Sequence, residues 1–338
     1  MAKIIGAIDS RQLRICHTKH IMSDPLQPLR VTRKKPLTPD ITLFELQNPE
    51  GGDFPMFTPG AHIVVDTPAG KRRSYSLCGD PADTQTWQIA VKRDGKGRGG
   101  SVSLVDGVQE GDLLMASPWS NLFELQTKAS EFIFVAGGIG ITPILSMIRY
   151  LRSQGLEDFK LYYCTRDQAS TAFLDELQVA DMEGRVTVHH DHGDLNQALD
   201  LWPIFERPSK AHVYCCGPQG LMDSVRDMTG HWPSEQIHFE SFGATAVSAD
   251  SNQPFEVLLQ KTGERISVSA DQSILEALRA CGHHIPSSCE SGSCGCCRTA
   301  LIAGEADHRD MVLRPEEHAS QIMVCVSRAK SNELVLDL

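Results

Sequence analysis

Four cysteines lie within nine positions near the end of the chain, in the stretch CESGSCGCC that spans residues 289 to 297. Thiolates placed so closely can hold a metal ion or a metal cluster. Cys289, Cys294 and Cys297 follow the spacing C-x4-C-x2-C, and Cys325 lies well downstream as a fourth candidate ligand. This is the ligand spacing of a plant-type two-iron, two-sulfur cluster, so we expect one-electron chemistry at this loop.

The residues between the cysteines favour the same interpretation. A loop that wraps a cluster must pass very close to it, which suits Gly292 and Gly295. Cys296 is surplus, because using it in place of Cys297 would give C-x4-C-x-C, and we expect it to be a free thiol. A zinc site is the alternative, although zinc usually takes paired C-x2-C units or nearby histidines, and one such pair is present here.

A second candidate site is the turn after the apolar segment FIFVA. Gly137, Gly138 and Gly140 could offer backbone N–H groups and a helix dipole to a pyrophosphate. We expect Thr142 to cap the following helix and Pro143 to lie in its first turn. The turn is not a G-x-G-x-x-G fingerprint, so an ordinary strand-to-helix turn is the alternative. The later segment CCGP, at 215 to 218, should end at the same sheet edge and favours a nucleotide site.

The first third of the chain offers a third set of candidate residues. The segment RRSYSL, residues 72 to 77, places an arginine, an aromatic ring and hydroxyls on one strand, where they could pair with a phosphate and cover a flat ring. Gly99, Gly100 and Ser101 precede the apolar run VSLV and predict a phosphate-binding helix start. Either segment could also be ordinary strand and turn.

The pattern of elements that would position these residues changes twice along the chain. From about Leu26 to Leu125, short apolar segments broken by turns predict an all-β barrel or sandwich. Strands then alternate with helices up to the segment ESFG and predict a parallel, doubly wound α/β sheet. A small, polar stretch, residues 244 to 254, predicts a linker, and beyond it we expect a hairpin turning at Thr262 and Gly263. The segment SILE, at 273 to 276, predicts a capping box and a helix that stops at Gly282.

Composition limits the class of protein. At 338 residues with 41 % hydrophobic residues, two or three globular domains are expected. A net charge of -11 argues against a nucleic-acid binder. The sequence has no run of about 20 apolar residues, so it does not predict a membrane span. The start of the chain is a poor signal peptide, so the eleven cysteines are expected to be reduced, in the cytoplasm. Residues 1 to 126 carry 15 basic and 14 acidic side chains and are nearly neutral, whereas the rest of the chain is acidic. The first segment therefore has positive charge available for a phosphate ligand.

Taken in order, the segments RSYS at 73 to 76, GGIGITP, YCCGP, ESFG and C-x4-C-x2-C resemble the ferredoxin reductase superfamily. More narrowly, they are similar to phthalate dioxygenase reductase and its relatives, in which the cluster domain comes last. The resemblance covers about Leu26 to Leu338. It implies an FMN-binding antiparallel β-barrel at 1–126, an NADH-binding α/β domain at 127–243 and an α+β, β-grasp ferredoxin domain at 244–338.

The resemblance also implies roles for individual residues. Cys216 and Phe242 would be catalytic, with Phe242 covering the flavin ring and Cys216 beside the nicotinamide. Thr142 would approach the flavin from the second domain, and Gly217 and Pro218 would bracket the nicotinamide. The residues implied for the flavin and its phosphate are Arg73, Ser74, Tyr75, Ser76, Ala90, Val91, Lys92, Arg98, Gly99 and Gly100. The cluster would take Cys289, Cys294, Cys297 and Cys325.

The implied activity is electron transfer from NADH through FMN and the cluster to the Rieske centre of an aromatic-ring oxygenase, by a monomeric protein that binds neither membrane nor nucleic acid. Arg166 and Asp167, near the expected ribose site, leave the choice between NADH and NADPH open. Alternatives are an FAD-containing reductase of a monooxygenase or demethylase, and a zinc-stabilised module without catalysis. Residues 244 to 338 carry eight basic and thirteen acidic side chains, which predicts a partner with a basic docking patch.

Overall fold

A computed structural model describes residues 26–97, 99–242, 252–287, 290, 292, 295–310 and 312–338. Within these residues the strands form a six-stranded sheet, two five-stranded sheets and one two-stranded pair. The three larger sheets follow one another along the chain, and each packs its own apolar core. Three sheets with separate cores agree with the multidomain organisation expected from the length of the chain.

The first sheet is an antiparallel barrel. Its strand order is β4-β3-β6-β1-β2-β5, and Leu77, just after β4, bridges to Ile89 of β5, which brings the two ends of the order together. The inward residues alternate along each strand and include the fully buried Phe44 and Trp87. The elements are β1 (Gln27–Pro36), β2 (Ile41–Gln47), β3 (His62–Asp66), β4 (Arg72–Ser76), β5 (Trp87–Lys92), α1 (Gly100–Gly107) and β6 (Leu113–Ala116).

The second sheet is parallel, with the order β11-β10-β7-β8-β9. The chain adds β8 and β9 on one side of β7 and then returns to add β10 and β11 on the other side. The strand order therefore reverses at β7, and the carboxyl ends of β7 and β10 flank the crevice where doubly wound sheets bind ligands. The strands are β7 (Phe132–Gly137), β8 (Phe159–Thr165), β9 (Val186–His190), β10 (His212–Cys216) and β11 (Ile237–Glu240). The helices are α2 (Ile141–Ser153), α3 (Leu174–Leu177), α4 (Trp202–Phe205) and α5 (Gln219–Met228).

The third sheet is mixed, with the order β13-β12-β18-β14-β16, and β12 runs parallel to β18. The capping box is confirmed, because the Ser273 hydroxyl accepts from the Glu276 N–H at 3.1 Å and the Glu276 carboxylate accepts from the Ser273 N–H at 2.9 Å. Gly282 follows the helix with a φ of 86°, as a helix stop requires. The elements are β12 (Phe255–Leu259), β13 (Arg265–Val268), α6 (Ile274–Ala280), β14 (Arg298–Ala303), β15 (Ala306–Asp307), β16 (Gln321–Met323), β17 (Arg328–Ala329) and β18 (Glu333–Leu336).

The expected fold class is confirmed: an antiparallel barrel, a parallel α/β sheet and an α+β unit follow one another. The expected hairpin is present, with Gly263 at a φ of 71° between β12 and β13. Most of the expected linker, at 243–251, lies outside the described residues, so the domain boundaries stay predictions. In the described part of the chain, no helix combines the length and the apolar character that a membrane crossing needs.

Candidate functional site

Strand β4 carries the residues expected to hold the flavin. It pairs with β3 in full register, which places Ser74 opposite Val64 and Ser76 opposite His62. The Tyr75 hydroxyl is buried and has no hydrogen-bond partner among the described residues. Burial raises the pKa of this hydroxyl to about 12, although the Arg73 guanidinium opposes the rise. A buried neutral hydroxyl without a partner is costly unless a ligand supplies one, so the strand fits a bound polar group.

A phosphate-sized anion would find donors at the start of α1. The helix begins at Gly100, directly after Gly99, whose φ of 82° favours glycine. A Cβ on Gly100 would lie 3.1 Å from Cγ of Arg73, so the arginine side chain lies against the first turn. A helix N-terminus beside a guanidinium matches the charge and the hydrogen bonding of a phosphate. Arg98 lies outside the described residues.

Strand β5 lies next to the end of β4 through the bridge between Leu77 and Ile89. Its residues Ala90 and Val91 are buried, whereas Lys92 is exposed and its ammonium lies 3.6 Å from the Asp40 carboxylate. The barrel thus brings the three predicted β5 residues to the edge that carries Ser76. Their contact with a flavin stays a prediction.

The nucleotide turn lies where the ends of β7 and β10 touch. A Cβ on Gly140 would lie 2.1 Å from the Cys216 carbonyl oxygen, and one on Gly137 would lie 2.4 Å from Cδ of Pro218. Both distances are far below van der Waals contact, so glycine is required for this close approach. The expected residues Gly137, Gly138, Gly140, Cys216, Gly217 and Pro218 are brought together here.

The prediction that Thr142 caps α2 is wrong. The helix begins at Ile141 with Gly140 at the N-cap position and no side-chain cap. The buried Thr142 hydroxyl instead donates to the carbonyl of Ile139 at 3.0 Å, because a threonine inside the first turn can satisfy its hydroxyl on a preceding carbonyl. The role of Thr142 beside the flavin stays a prediction.

Glu240, which reasoning from sequence does not single out, joins the first two sheets at this edge. It is the register partner of Cys216, and its carboxylate accepts from the Ser76 hydroxyl of β4 at 3.4 Å. Burial raises the pKa of the Cys216 thiol well above its usual value, and the charges of Glu240 and Cys215 add to the rise. The thiol is therefore neutral at physiological pH and can contact a ligand without adding charge. The segment ESFG begins with Glu240, so this motif is the feature of the sequence that could have drawn attention to the carboxylate.

Phe242 lies two residues beyond Glu240, and 41 % of its surface is exposed. Its chain position follows the end of β11, at the same edge as Cys216. An exposed ring there is available to stack on a flat ligand. Its predicted covering of the flavin is consistent with this exposure and stays a prediction.

In the third sheet, two expected cluster ligands lie close together. Cys297 precedes β14 and Cys325 follows β16, and both are buried. The N–H of Val324 donates to the carbonyl of Cys297 at 3.4 Å, which brings the two chain segments side by side. Cys296 is partly exposed, whereas Cys289 and Cys294 lie outside the described residues.

The described parts of the cysteine loop fit a chain that passes close to a bulky group. Glu290, Gly292 and Gly295 all have positive φ, at 48°, 77° and 79°. A Cβ on Gly292 would lie 2.8 Å from Cγ2 of Val326, the residue after Cys325, so the loop backbone packs directly on that segment. Left-handed residues in a loop can turn backbone N–H groups toward one side, as cluster sulfurs require.

Arg279 of α6 holds this loop from outside. Its guanidinium pairs with the Glu290 carboxylate at 2.7 Å and donates to the Ser287 hydroxyl, which in turn donates to Glu290 at 3.0 Å. All three side chains are largely buried, so the charges are poorly screened by water. The ion pair ties the left-handed Glu290 to a rigid helix.

Comparison with known proteins identifies the domains that carry these residues. A family model of the 2Fe-2S iron-sulfur cluster binding domain matches residues 257–330, and one of the oxidoreductase NAD-binding domain matches residues 134–227. Phthalate dioxygenase reductase of Burkholderia cepacia is 56 % identical over 92 % of this chain and 97 % of its own length. The chain belongs to the phthalate dioxygenase reductase family. The phthalate 4,5-dioxygenase oxygenase reductase subunit of Pseudomonas putida is 53 % identical over 94 % of this chain and 98 % of its own length.

A solved structure of phthalate dioxygenase reductase superposes with a TM-score of 0.85 at 55 % identity, covering 93 % of this chain and 98 % of that one. That protein is described as a modular structure for electron transfer from pyridine nucleotides to a 2Fe-2S centre. Membership of this family and the two domain matches show that the chain is an NAD-dependent oxidoreductase with a two-iron, two-sulfur cluster domain. The alternative of a zinc-stabilised module without catalysis is thereby set aside, whereas the choice of FMN over FAD stays a prediction.

Proposed function

We propose that this chain is the reductase component that carries electrons from NADH to a Rieske-type oxygenase acting on phthalate or another aromatic compound. The hydrogen bond from Ser76 to Glu240, beside Cys216, carries the proposal, because it joins the expected flavin strand to the expected nicotinamide edge. Bound FMN and the cluster supply the conversion of two-electron into one-electron chemistry. The residues of the chain bind, orient and shield these groups.

At the barrel, Arg73 and the first turn of α1 hold the flavin phosphate, with Arg98, Gly99 and Gly100 completing the site. The buried hydroxyl of Tyr75 supplies a hydrogen bond to the ligand, which also removes the cost of leaving that hydroxyl without a partner. The flavin contacts also include Ser74, Ser76, Ala90, Val91 and Lys92.

At the parallel sheet, the N–H groups of the Gly137–Gly140 turn and the start of α2 bind the NADH pyrophosphate. Cys216, Gly217 and Pro218 would flank the nicotinamide, and Phe242 would cover the flavin face. The neutral thiol of Cys216 keeps charge away from the reacting carbon, while Glu240 holds Ser76 in place.

At the third sheet, Cys289, Cys294, Cys297 and Cys325 ligate the cluster. The domains divide at 126/127 and 243/244, with Phe123 and Leu125 at the end of the first range packed into the core of the nucleotide sheet. Lys71 of the barrel lies 3.7 Å from Glu276 of α6, which supports a direct contact between the flavin and cluster units.

The acceptor is an oxygenase component, because both named relatives are reductases of dioxygenase systems. Residues 244 to 338 carry 8 basic and 13 acidic side chains, a balance of 8 − 13 = −5, so the docking face of the partner is basic. The protein acts as a monomer in the cytoplasm, a reducing compartment in which disulfide bonds are rare.

Anaerobic titration with NADH tests the proposal. We expect flavin absorbance to bleach and a reduced-cluster signal to appear in electron paramagnetic resonance, with FMN as the flavin released on denaturation. A preparation that contains zinc and no iron, or one that NADH does not bleach, would refute it.

The docking claim has its own test. Electrostatically guided association weakens as salt rises, so turnover with the oxygenase should fall between low and high ionic strength while flavin reduction by NADH stays constant. Turnover that is indifferent to salt would contradict a basic docking patch.

A further inference from the structure

Arg149 lies on α2 and reaches out of the nucleotide-binding unit. The helix begins beside the Gly137–Gly140 turn, and Arg149 follows two turns later with 19 % of its side chain exposed. An arginine so far removed from water is expected to have all its donors satisfied. Its partners come from both the nucleotide-binding unit and the barrel.

One side of the guanidinium is paired within its own unit. Nε donates to Oε1 of Glu176 at 2.8 Å and Nη2 donates to Oε2 at 2.7 Å, a bidentate fork against α3. Burial alone would lower the pKa of Arg149, but the hydrogen bonds and the charge of Glu176 outweigh it and raise the pKa. The charge is therefore permanent, and its orientation is fixed by α3.

The other side reaches the barrel. Nη1 donates to the carbonyl oxygen of Cys78 at 2.7 Å and to Oε1 of Gln88 at 2.9 Å. Cys78 lies two residues beyond Ser76, and its N–H donates to the Gln88 carbonyl at 2.9 Å. The guanidinium thus contacts the continuation of the strand that carries Tyr75 and Ser76.

Apolar packing surrounds this contact without fixing its angle. Ala172 of the nucleotide-binding unit belongs to one buried cluster with barrel residues, and Ile139 of the nucleotide turn packs against the same cluster; its barrel members are Ile41, Leu43, Cys78 and Ala90. Apolar contact is non-directional, whereas a planar guanidinium with four hydrogen bonds has one orientation. A second directional contact lies one turn earlier on α2, where the N–H of Gly60 donates to the Ser146 hydroxyl at 3.1 Å.

We propose that Arg149 is a positioning residue for hydride transfer, which locks the nucleotide-binding helix against the flavin-binding strand. This inference rests on the proposed use of Ser76, Cys216 and the Gly137–Gly140 turn. A rigid helix leads from Arg149 to the turn, and a rigid strand leads from Cys78 to Ser76. Misplacement of reacting groups by about 1 Å can cost about 100-fold in rate. The angle between α2 and the flavin-binding strand, which the Arg149 guanidinium sets, is therefore expected to affect the rate of hydride transfer.

The test compares Arg149→Met and Arg149→Lys in the holoenzyme by anaerobic stopped flow. We expect the limiting rate of flavin reduction to fall about 10- to 100-fold in Arg149→Met, with NADH affinity changed less than about 3-fold. The primary isotope effect with deuterated NADH should rise, because hydride transfer becomes slower than the other steps. The long-wavelength charge-transfer absorbance of the NADH complex should weaken.

Arg149→Lys keeps the charge and loses the fork, so it should also be slow, and it decides the question if Arg149→Met does not fold. Arg185→Met is the matched control, since Arg185 has 23 % exposure and pairs with Glu157 inside the nucleotide-binding unit. A limiting rate within about 3-fold of the parent in Arg149→Lys, with an unchanged charge-transfer band, would overturn the inference. A parent protein that NADH fails to reduce would instead refute the proposed function.

Discussion

Replacing Gly140 by alanine should slow hydride transfer while leaving the fold intact. Gly140 has φ −62° and ψ −5°, values that alanine adopts without strain. Its cost is steric, because the new Cβ would lie 2.1 Å from the carbonyl oxygen and 2.5 Å from the carbonyl carbon of Cys216. Since non-bonded heavy atoms sit about 3.5 Å apart, the two strand ends must separate by about 1 Å.

That separation acts directly on Cys216 and on its neighbour Gly217, whose N would lie 2.9 Å from the new Cβ. Overpacking of this kind costs about 1–3 kcal/mol, which a chain of this size can tolerate. A shift of about 1 Å at the nicotinamide edge corresponds to a loss of about 100-fold in the rate of flavin reduction. We therefore expect a large loss in the limiting rate of flavin reduction and only a modest drop in the midpoint temperature of thermal unfolding.

Stopped-flow reduction by NADH and thermal unfolding, measured on the same holoenzyme preparations, provide the two quantities. Gly107→Ala is the control, because Gly107 lies at the end of α1 and nothing lies within 4 Å of the methyl group that alanine would add there. It should be neutral or slightly stabilising in a helix. A folded Gly140→Ala protein that is reduced within about 3-fold of the parent rate would show that the contact with Cys216 does not control the site.

The cluster loop and the barrel supply three more tests. Cys297→Ser and Cys325→Ser should abolish the cluster signal in electron paramagnetic resonance, whereas Cys296→Ser should retain it; a lost signal in Cys296→Ser would reverse the ligand assignment. Arg279→Met should release iron to a chelator about 10-fold faster or more, since it removes the ion pair that holds the cysteine loop. Release at the parent rate would show that the ion pair between Arg279 and Glu290 does not stabilise the loop. Burial lowers the pKa of His62 to about 4, so the unfolded chain binds the extra proton and stability falls as pH drops below about 6.5. From about pH 7 to about pH 5 this costs about 2 kcal/mol, which denaturant unfolding should show in the parent and not in His62→Gln.

Local signals in the sequence are sufficient to predict most of the elements. The capping box at Ser273 and the helix stop at Gly282 depend on neighbours within a few residues, and both predictions are confirmed. The order of strands and helices likewise predicts the parallel sheet. Thr142 shows the limit of such reasoning, because whether its hydroxyl caps the helix or donates to a preceding carbonyl depends on where the helix begins.

Contacts between sheets cannot be predicted in the same way. Glu240 is positioned by Ser76, 164 residues earlier in the chain, and Arg149 is positioned by Cys78, 71 residues earlier. A carboxylate at a strand end and an arginine on a helix are common surface features, so neither stands out alone. Their roles depend on contacts with the barrel, and local sequence patterns do not show where the barrel lies relative to these residues.

The glycines of the site are indicated by the sequence but explained only by the structure. From sequence, Gly137 and Gly140 indicate a turn that could bind pyrophosphate, but an ordinary turn explains them equally well. The structure shows that each is glycine because the end of β10 leaves no room for a Cβ, with contacts of 2.4 Å and 2.1 Å. The same edge carries Glu240, whose carboxylate accepts from the Ser76 hydroxyl, so the tight turn lies beside a contact between the nucleotide sheet and the barrel. A substitution that loosens the turn should therefore impair transfer between the units even if NADH still binds.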